Sequence, residues 1–417
     1  MNKEMRIGIV GAGISGATLA HELVKKGYRQ VTLMEKSDRA GGKCHSIEFK
    51  GKTYEMGALI GLPSYKHTMQ LMEEFGLAER GPLLERAFFN PNGSKVSQIP
   101  LSQMSDFARE FKRFPELFGQ YADLKIPGFR NIPAELCQPF AVWCEQNGLP
   151  VLKQVFMHYF SAFGFGSIEE VPAVYVMKLL NYENLISFIE ITHMISWPQG
   201  VSKLVKVMAD AAPDLRLTCP VRRIRREVTG EIGVETDHET LHFDRVIYTA
   251  PLRGLQDKLI ELDPQDRELL ELITHERFRV YAYRAEQLPK MSGYIPGNMG
   301  PARAGHMMAW YYRWGDVAEN DLVTVYVKEN GQLSDSEIRA NIETTLAELG
   351  GEQIRLHMMK RWNHFPHVNT VALENGFYQR LEGMQGKYGV YFAGEIMNFP
   401  TLENCIAYAK DLVVRHF

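Results

Sequence analysis

The chain has few cysteines, almost no charge imbalance and no long apolar run. Each shortage removes a class of protein. The 417 residues contain five cysteines, Cys44, Cys137, Cys144, Cys219 and Cys405, an odd number without CxxC spacing. A disulfide framework or a structural zinc site is therefore not expected, and buried thiols in a reducing compartment are. Cys137 and Cys144, seven residues apart, are expected on one helical face. The formal net charge of −3 gives no reason to expect nucleic acid or an anionic membrane as partner. No uninterrupted apolar stretch reaches the ~18 residues of a membrane span. The first apolar strand starts at residue 6, which leaves no room for a leader peptide, so a cytoplasmic protein is expected. GxSxG is missing, as is an obvious Cys–His pair, so the side chains do not announce a nucleophilic hydrolase. No internal repeat or low-complexity tract is evident.

The chain is rich in nucleotide-binding signals. Residues 6–10 form a short apolar run that leads directly into Gly11-x-Gly13-x-x-Gly16, and a helical pattern follows. Nineteen residues after Gly16, a second apolar run ends in Glu35. Gly11 permits the tight turn, Gly13 lets backbone approach a pyrophosphate, and Gly16 lets helix and strand pack closely. The helix N-terminus offers free N–H groups and a positive dipole. Glu35 suits a ribose 2′-hydroxyl. Strand, glycine turn, helix, second strand and acid together predict dinucleotide binding; the alternative is an ordinary tight βα turn.

Two later segments choose among dinucleotides. Arg39-Ala40-Gly41-Gly42-Lys43 follows the acid, then Tyr54-Glu55-Met56-Gly57-Ala58. Near the C-terminus, a buried-looking strand over 390–393 ends in Gly394-Glu395 ahead of a last helix. These three elements, in this order, resemble the flavin amine oxidase and phytoene desaturase superfamily. The resemblance implies FAD. It also implies a set of cofactor contacts: Gly11, Ala12, Gly13, Ser15, Gly16, Glu35, Lys36, Gly42, Lys43, Met56, Gly57, Ala58, Val221, Ala250, Gly394, Glu395, Leu402 and Glu403. Lys43 is otherwise a solvated loop lysine, and nothing argues for covalent attachment of flavin at Cys44.

Together with the pattern of elements, that resemblance implies an α/β fold: an FAD/NAD(P)-binding Rossmann-like domain of the glutathione reductase type, an antiparallel-sheet substrate domain and a helical insertion. The expected boundaries are 1–80, 191–255 and 386–417 for the FAD-binding parts, 81–99 and 256–385 for the substrate domain, and 100–190 for the helices. Within these, 68–75, 200–211 and 334–349 read as helices, the last with Ser334 as N-cap and Glu337 completing a capping box. Residues 215–219, 246–250 and 354–362 read as strands, 221–227 with 232–236 as a strand pair, and 277–330 as an antiparallel sheet. Residues 105–124 carry Phe107, Phe111, Phe114, Leu117, Phe118 and Tyr121 at helical spacing, with Pro115 as a kink. Such a stripe serves either a core-facing helix or one lying on a membrane surface, so peripheral membrane contact stays open. Residues 133–147 and 151–163 also read as helical.

Over almost its full length the sequence resembles a narrower group, the bacterial flavin-dependent polyunsaturated fatty acid isomerases. The shared segments include Gly41-Gly42-Lys43-Cys44-His45-Ser46, Ala162-Phe163-Gly164-Phe165-Gly166, Val171-Pro172-Ala173-Val174-Tyr175, Ser292-Gly293-Tyr294-Ile295-Pro296, Tyr311-Tyr312-Arg313-Trp314 and Phe365-Pro366-His367-Val368. Phe399-Pro400-Thr401-Leu402-Glu403-Asn404 departs from the group, as does the block 100–150. The resemblance implies that a hydride leaves a bis-allylic carbon for flavin N5 and returns at another carbon, with no side-chain base required. It implies that Arg86 holds a substrate carboxylate, which suits a guanidinium fork; otherwise Arg86 is a surface arginine paired with Glu85 or Glu79. Phe188 follows a stretch that resembles the group's gate region, Phe163 and Phe165 match the segment that in that group flanks the flavin, and Tyr311 joins Trp310, Tyr312 and Trp314 as candidate pocket aromatics. Each is otherwise a core residue. The expected ligand is a small lipophilic molecule bearing a carboxylate. Two other readings share the fold: net oxidation, as in an amine oxidase or desaturase, and flavin-free binding, as in GDP dissociation inhibitors. His364 and His367 form an HxxH that reads as structural rather than metal-binding.

Overall fold

A computed structural model describes residues 2–82, 86–190, 194–259, 261–314 and 321–417. Its centre is a five-stranded parallel sheet. The strand order is Val390–Phe392, Arg245–Tyr248, Arg6–Val10, Gln30–Met34 and Asp214–Arg216. These strands read as near-continuous apolar runs because helices cover them. Helix Ile14–Lys25 buries Ala17, Leu19, Ala20 and Leu23, and it packs against helices Leu402–His416 and Val201–Asp210. Five segments from across the chain thus build one sheet, whose C-terminal edge carries the Gly11 turn, Glu35, Thr249 and Ala393.

The expected strand over 215–219 is shorter and starts earlier, at Asp214–Arg216. Thr218 takes a left-handed φ of 51°. The turn lets the Thr218 and Cys219 N–H groups donate to Ser37 and Glu35 carbonyls at 2.8 Å, so the chain leaves the sheet beside the acid. The expected strand pair is Arg223–Arg226 with Ile232–Glu235, extended to three by Thr240–Phe243.

A second sheet has seven strands in the order Glu352–His367, Thr274–Glu286, Leu322–Glu329, Met307–Tyr311, Ser292–Tyr294, Arg86–Phe89 and Lys95–Val96. All neighbours are antiparallel except Ser292–Tyr294 with Arg86–Phe89. His364 and His367 both lie on the long last strand. Helix Asp335–Glu348 covers one face, and the Ser334–Glu337 capping box is formed.

The helical block comprises Met104–Gly119, Phe140–Gln146, Pro150–Ala162, Ala173–Leu179 and Tyr182–Ile189. The first contains Pro115 within a continuous helix and stops at Gly119; a 3₁₀ turn, Ala122–Lys125, takes over. Phe114 is fully buried, and Phe107, Phe111, Leu117 and Phe118 pack against the core, so the apolar stripe faces the protein. Glu110 interrupts that stripe for a reason. Its buried carboxylate accepts from the Val151 and Leu152 N–H groups at 3.0 and 2.8 Å, which caps helix Pro150–Ala162 against its own dipole. Among the described residues no helix is long and apolar enough to cross a membrane. All five cysteines are thiols, four of them buried.

One buried ion pair ties the layers together. Glu55, at the end of the hairpin Ser46–Phe49/Lys52–Glu55, is 1% exposed. It accepts from Ser46 Oγ at 2.6 Å and from the Val201 N–H, at a helix N-terminus, at 2.8 Å. Arg313, 4% exposed, lies 3.5 Å away and also donates to the Trp197 carbonyl. Glu55→Ala leaves the guanidinium buried beside an empty acceptor. We expect it to cost about 3–5 kcal/mol, read as a lower denaturation midpoint in urea, while Glu74→Ala, in a half-exposed surface pair, should cost under ~1 kcal/mol.

Candidate active site

The C-terminal edge of the parallel sheet opens into an elongated cavity of about 1050 Å³. That exceeds the ~300–1,000 Å³ of a pocket for one drug-sized ligand. Its floor is backbone. Gly11 has φ +102°, and a Cβ on Gly16 would fall 1.9 Å from the Gly11 carbonyl oxygen. Helix Ile14–Lys25 therefore starts hard against the strand, with Gly13 as an N-cap that brings no side chain. The loop 39–43 lies on this turn: the Gly41 N–H donates to the Ala12 carbonyl at 2.8 Å, and a Cβ on Gly42 would sit 3.2 Å from Gly13 Cα. Arg39 holds the loop closed by donating to the Gly42 and Cys44 carbonyls at 3.0 and 3.3 Å. A second helix N-terminus, that of Leu402–His416 with Thr401 as its cap, also borders the cavity. Two positive helix ends and a side-chain-free floor suit a pyrophosphate.

At one end, Glu35 is 8% exposed. Its two oxygens accept from the Ala12 and Ser37 N–H groups, each at 2.9 Å. Those bonds aim the carboxylate at the cavity and leave lone pairs for a ribose diol. Lys36, Val221 and Ala250 line this end. Farther along, Gly57 is held because a Cβ there would lie 1.8 Å from the Lys43 carbonyl oxygen. Lys43 and Glu395 both line the cavity and form an ion pair of 2.5 Å. The fully buried Met56 offers its carbonyl to Trp362 Nε1 at 2.7 Å, which pins the Met56–Gly57 turn to the large sheet.

The far end is walled by the antiparallel sheet and the helical block. Phe163, Phe165, Phe278, Tyr311, Tyr326, Trp362 and His364 line it. His364 stacks on Phe165 with centroids 5.1 Å apart, and its Nε2 lies 3.1 Å from the Phe163 carbonyl. Burial pushes its pKa down to about 3, and that of His275, also in the wall, to about 4, so both rings are neutral near pH 7.

The sequence-derived residues divide into three groups. Gly11, Gly13, Ser15, Glu35, Lys36, Gly42, Lys43, Gly57, Ala58, Val221, Ala250, Gly394, Glu395, Leu402, Phe163, Phe165 and Tyr311 border the cavity. Ala12, Gly16 and Met56 stand behind it and shape it through backbone. Glu403 points elsewhere: its carboxylate accepts from the His67 and Thr68 N–H groups at 2.9 Å, capping helix Lys66–Glu74. Phe188 is fully buried off the cavity, stacked on Tyr159 at 4.4 Å. Arg86 is 7% exposed and is likewise set back, with its guanidinium over the Tyr159 ring at 5.8 Å and Nη1 near Tyr294 Oη at 3.5 Å. Of its suggested surface partners, Glu85 lies outside the described residues. Residues missed in the sequence include Phe278, Tyr326, Trp362 and His275. The available signal was period-two alternation, which puts Trp362 and His364 on one strand face.

A profile of the family described as flavin containing amine oxidoreductase matches residues 14–408. Among solved structures, a conjugated-linoleic-acid-producing fatty acid isomerase from P. acnes superimposes with a TM-score of 0.95 at 30% identity, covering 100% of both chains. A putrescine oxidase bound to putrescine superimposes with a TM-score of 0.75 at 16% identity over 99% of both, a likeness of fold. A polyenoic fatty acid isomerase from Ptilota filicina is 22% identical over 320 residues, 66% of this chain and 62% of that protein. A tryptophan 2-monooxygenase from Agrobacterium vitis is 39% identical over 80 residues, 18% of this chain and 11% of that one. The matched regions thus span less than two thirds of these curated relatives.

Gly16→Ala tests the cradle. The added methyl has no space against the Gly11 carbonyl, and overpacking of this kind costs ~1–3 kcal/mol. We expect flavin affinity to fall about 5- to 150-fold, measured as visible absorbance per protein after dialysis, with far-ultraviolet circular dichroism retained.

Proposed function

Because this chain belongs to the flavin containing amine oxidoreductase family, we propose that it binds FAD along the elongated cavity and isomerises double bonds of an unsaturated fatty acid or a related carboxylate-bearing lipophilic chain. The observation that carries this reading is the full-length match, at 30% identity, to a fatty acid isomerase. When bound, FAD supplies reversible two-electron transfer at its ring system, which allows a double-bond shift with no net redox change.

The chain's own residues orient, shield and charge the site. Two helix N-termini and the Gly11–Gly16 turn favour the pyrophosphate, and Glu35 favours the adenosine ribose. The Lys43–Glu395 pair offers both a donor and an acceptor beside the flavin end. Phe163, Phe165, Phe278, Tyr326 and Trp362 keep water from the reacting carbons and turn π faces toward positive charge that develops along a polyene. The neutral His364 adds no opposing charge. Arg86 supplies a buried cation behind this aromatic wall, which supports a role in holding the carboxylate.

Anaerobic incubation with a panel of unsaturated acids is expected to produce conjugated-diene absorbance, and in air the same turnover should consume no oxygen. Stoichiometric oxygen uptake or peroxide release rejects isomerisation in favour of net oxidation. Arg86→Ala should raise KM for a free acid about 10- to 150-fold, the worth of a hydrogen bond to a charged group, while bound flavin is unchanged. An unaltered KM rejects the carboxylate assignment.

A further inference from the structure

Arg86 does not border the cavity, yet it communicates with it through two hydroxyl groups. Its Nη1 donates toward Tyr294 Oη at 3.5 Å. Tyr294 Oη is hydrogen-bonded to Tyr311 Oη. Tyr311 lines the cavity. Tyr294 is fully buried and Tyr311 is 2% exposed, so neither hydroxyl has bulk water as an alternative partner.

The order of donors in this chain follows from what each group can do. A guanidinium donates and never accepts. Tyr294 therefore receives a proton donor on one side, and its own O–H must find an acceptor, because a buried unpaired donor is costly. Tyr311 Oη, its hydrogen-bond partner, can serve as that acceptor. In that arrangement the Tyr311 O–H is released from Tyr294, and Tyr311 lines the cavity. Tyr326, the neighbouring cavity tyrosine, has its proton committed to Thr324 Oγ1 at 3.2 Å. Tyr159, under the guanidinium, donates to the Phe188 carbonyl.

We propose that Arg86, Tyr294 and Tyr311 form an ordered hydroxyl relay that presents a polarised donor to the cavity, with Tyr294 as the positioning residue, and that this makes the site select a carboxylate head group and reject an ammonium. The inference rests on the acid-substrate reading above. The relay accounts for how a cation that is set back from the cavity acts inside it. An acceptor such as a carboxylate meets an oriented O–H backed by positive charge. An ammonium meets the same O–H with no acceptor to offer and a like charge behind it.

The test uses the flavin-loaded enzyme and two unreactive probes of equal length, hexadecanoate and hexadecylamine, titrated by perturbation of the flavin spectrum and of tryptophan fluorescence. Wild type should bind the acid more tightly than the amine. Tyr311→Phe removes the terminal hydroxyl, and Tyr294→Phe removes the link while keeping the ring that stacks on Phe88 at 5.5 Å. Each is expected to raise Kd for the acid about tenfold or more, to leave Kd for the amine unchanged or lower, and to raise KM for an unsaturated acid more than it lowers kcat. A packing role alone predicts no change of Kd in either variant. If Arg86→Ala weakens acid binding and both tyrosine variants do not, the relay is wrong and the carboxylate assignment stands. If none of the three variants affects acid binding, both fall.

Discussion

The structure depends on one close contact, the start of the first helix pressed against the Gly11 carbonyl. A single methyl at Gly16 would stand 1.9 Å from that oxygen. Because nothing is there, the helix begins where the strand ends, and its free N–H groups point along the sheet edge rather than into a side chain. The 39–43 loop can then lie across Gly13, and Glu35 can reach back to the Ala12 N–H. The cradle is made of backbone, whose geometry is fixed by hydrogen bonds within the protein before any ligand arrives. Preorganisation of this kind keeps the entropic cost of binding low.

This explains which parts were legible in the sequence. A backbone cradle requires glycine at set spacings, so Gly11, Gly13, Gly16, Gly42, Gly57 and Gly394 declare themselves. The strands at 6–10, 30–34 and 245–248 were legible as apolar runs, and the Ser334–Glu337 capping box as a local pattern. The 215–219 strand was misjudged because a left-handed Thr218 has no sequence signature; apolar neighbours hid a turn. Glu403 was less legible for a different reason. An acid at the start of a helix suits a nearby anion-avoiding or anion-mimicking role equally well, and only the placement of helix Lys66–Glu74 shows that its carboxylate is used there.

The far end of the cavity was less legible because it is built from side chains. Phe278, Tyr326 and Trp362 come from three strands, and in each the inward residue is distinguished from its neighbours only by alternation. A Phe facing a ligand and a Phe facing the core obey the same burial rule. Glu110 illustrates the point in reverse: a charge within an apolar stripe reads as a solvated residue, but it is buried because it caps the next helix.

This division has a consequence for how one fold serves different chemistries. The cofactor cradle lies on the parallel sheet and is set by backbone, so it tolerates little change. The substrate wall lies on the antiparallel sheet, which the Glu55–Arg313 pair and the Trp362–Met56 hydrogen bond lock onto the first. Given that rigid joint, changing a few inward-facing side chains alters what the aromatic end presents to a ligand without disturbing the backbone cradle. Charge behind the wall matters as much as the wall itself. With His275 and His364 held neutral by burial, charge near the aromatic end comes from the Lys43–Glu395 pair in the lining and, in the proposed relay, from Arg86 behind it. A low-dielectric interior makes such an influence long-ranged. In the proposed reading, a cation set behind aromatic rings discriminates between head groups of opposite sign while leaving the apolar passage for the chain intact.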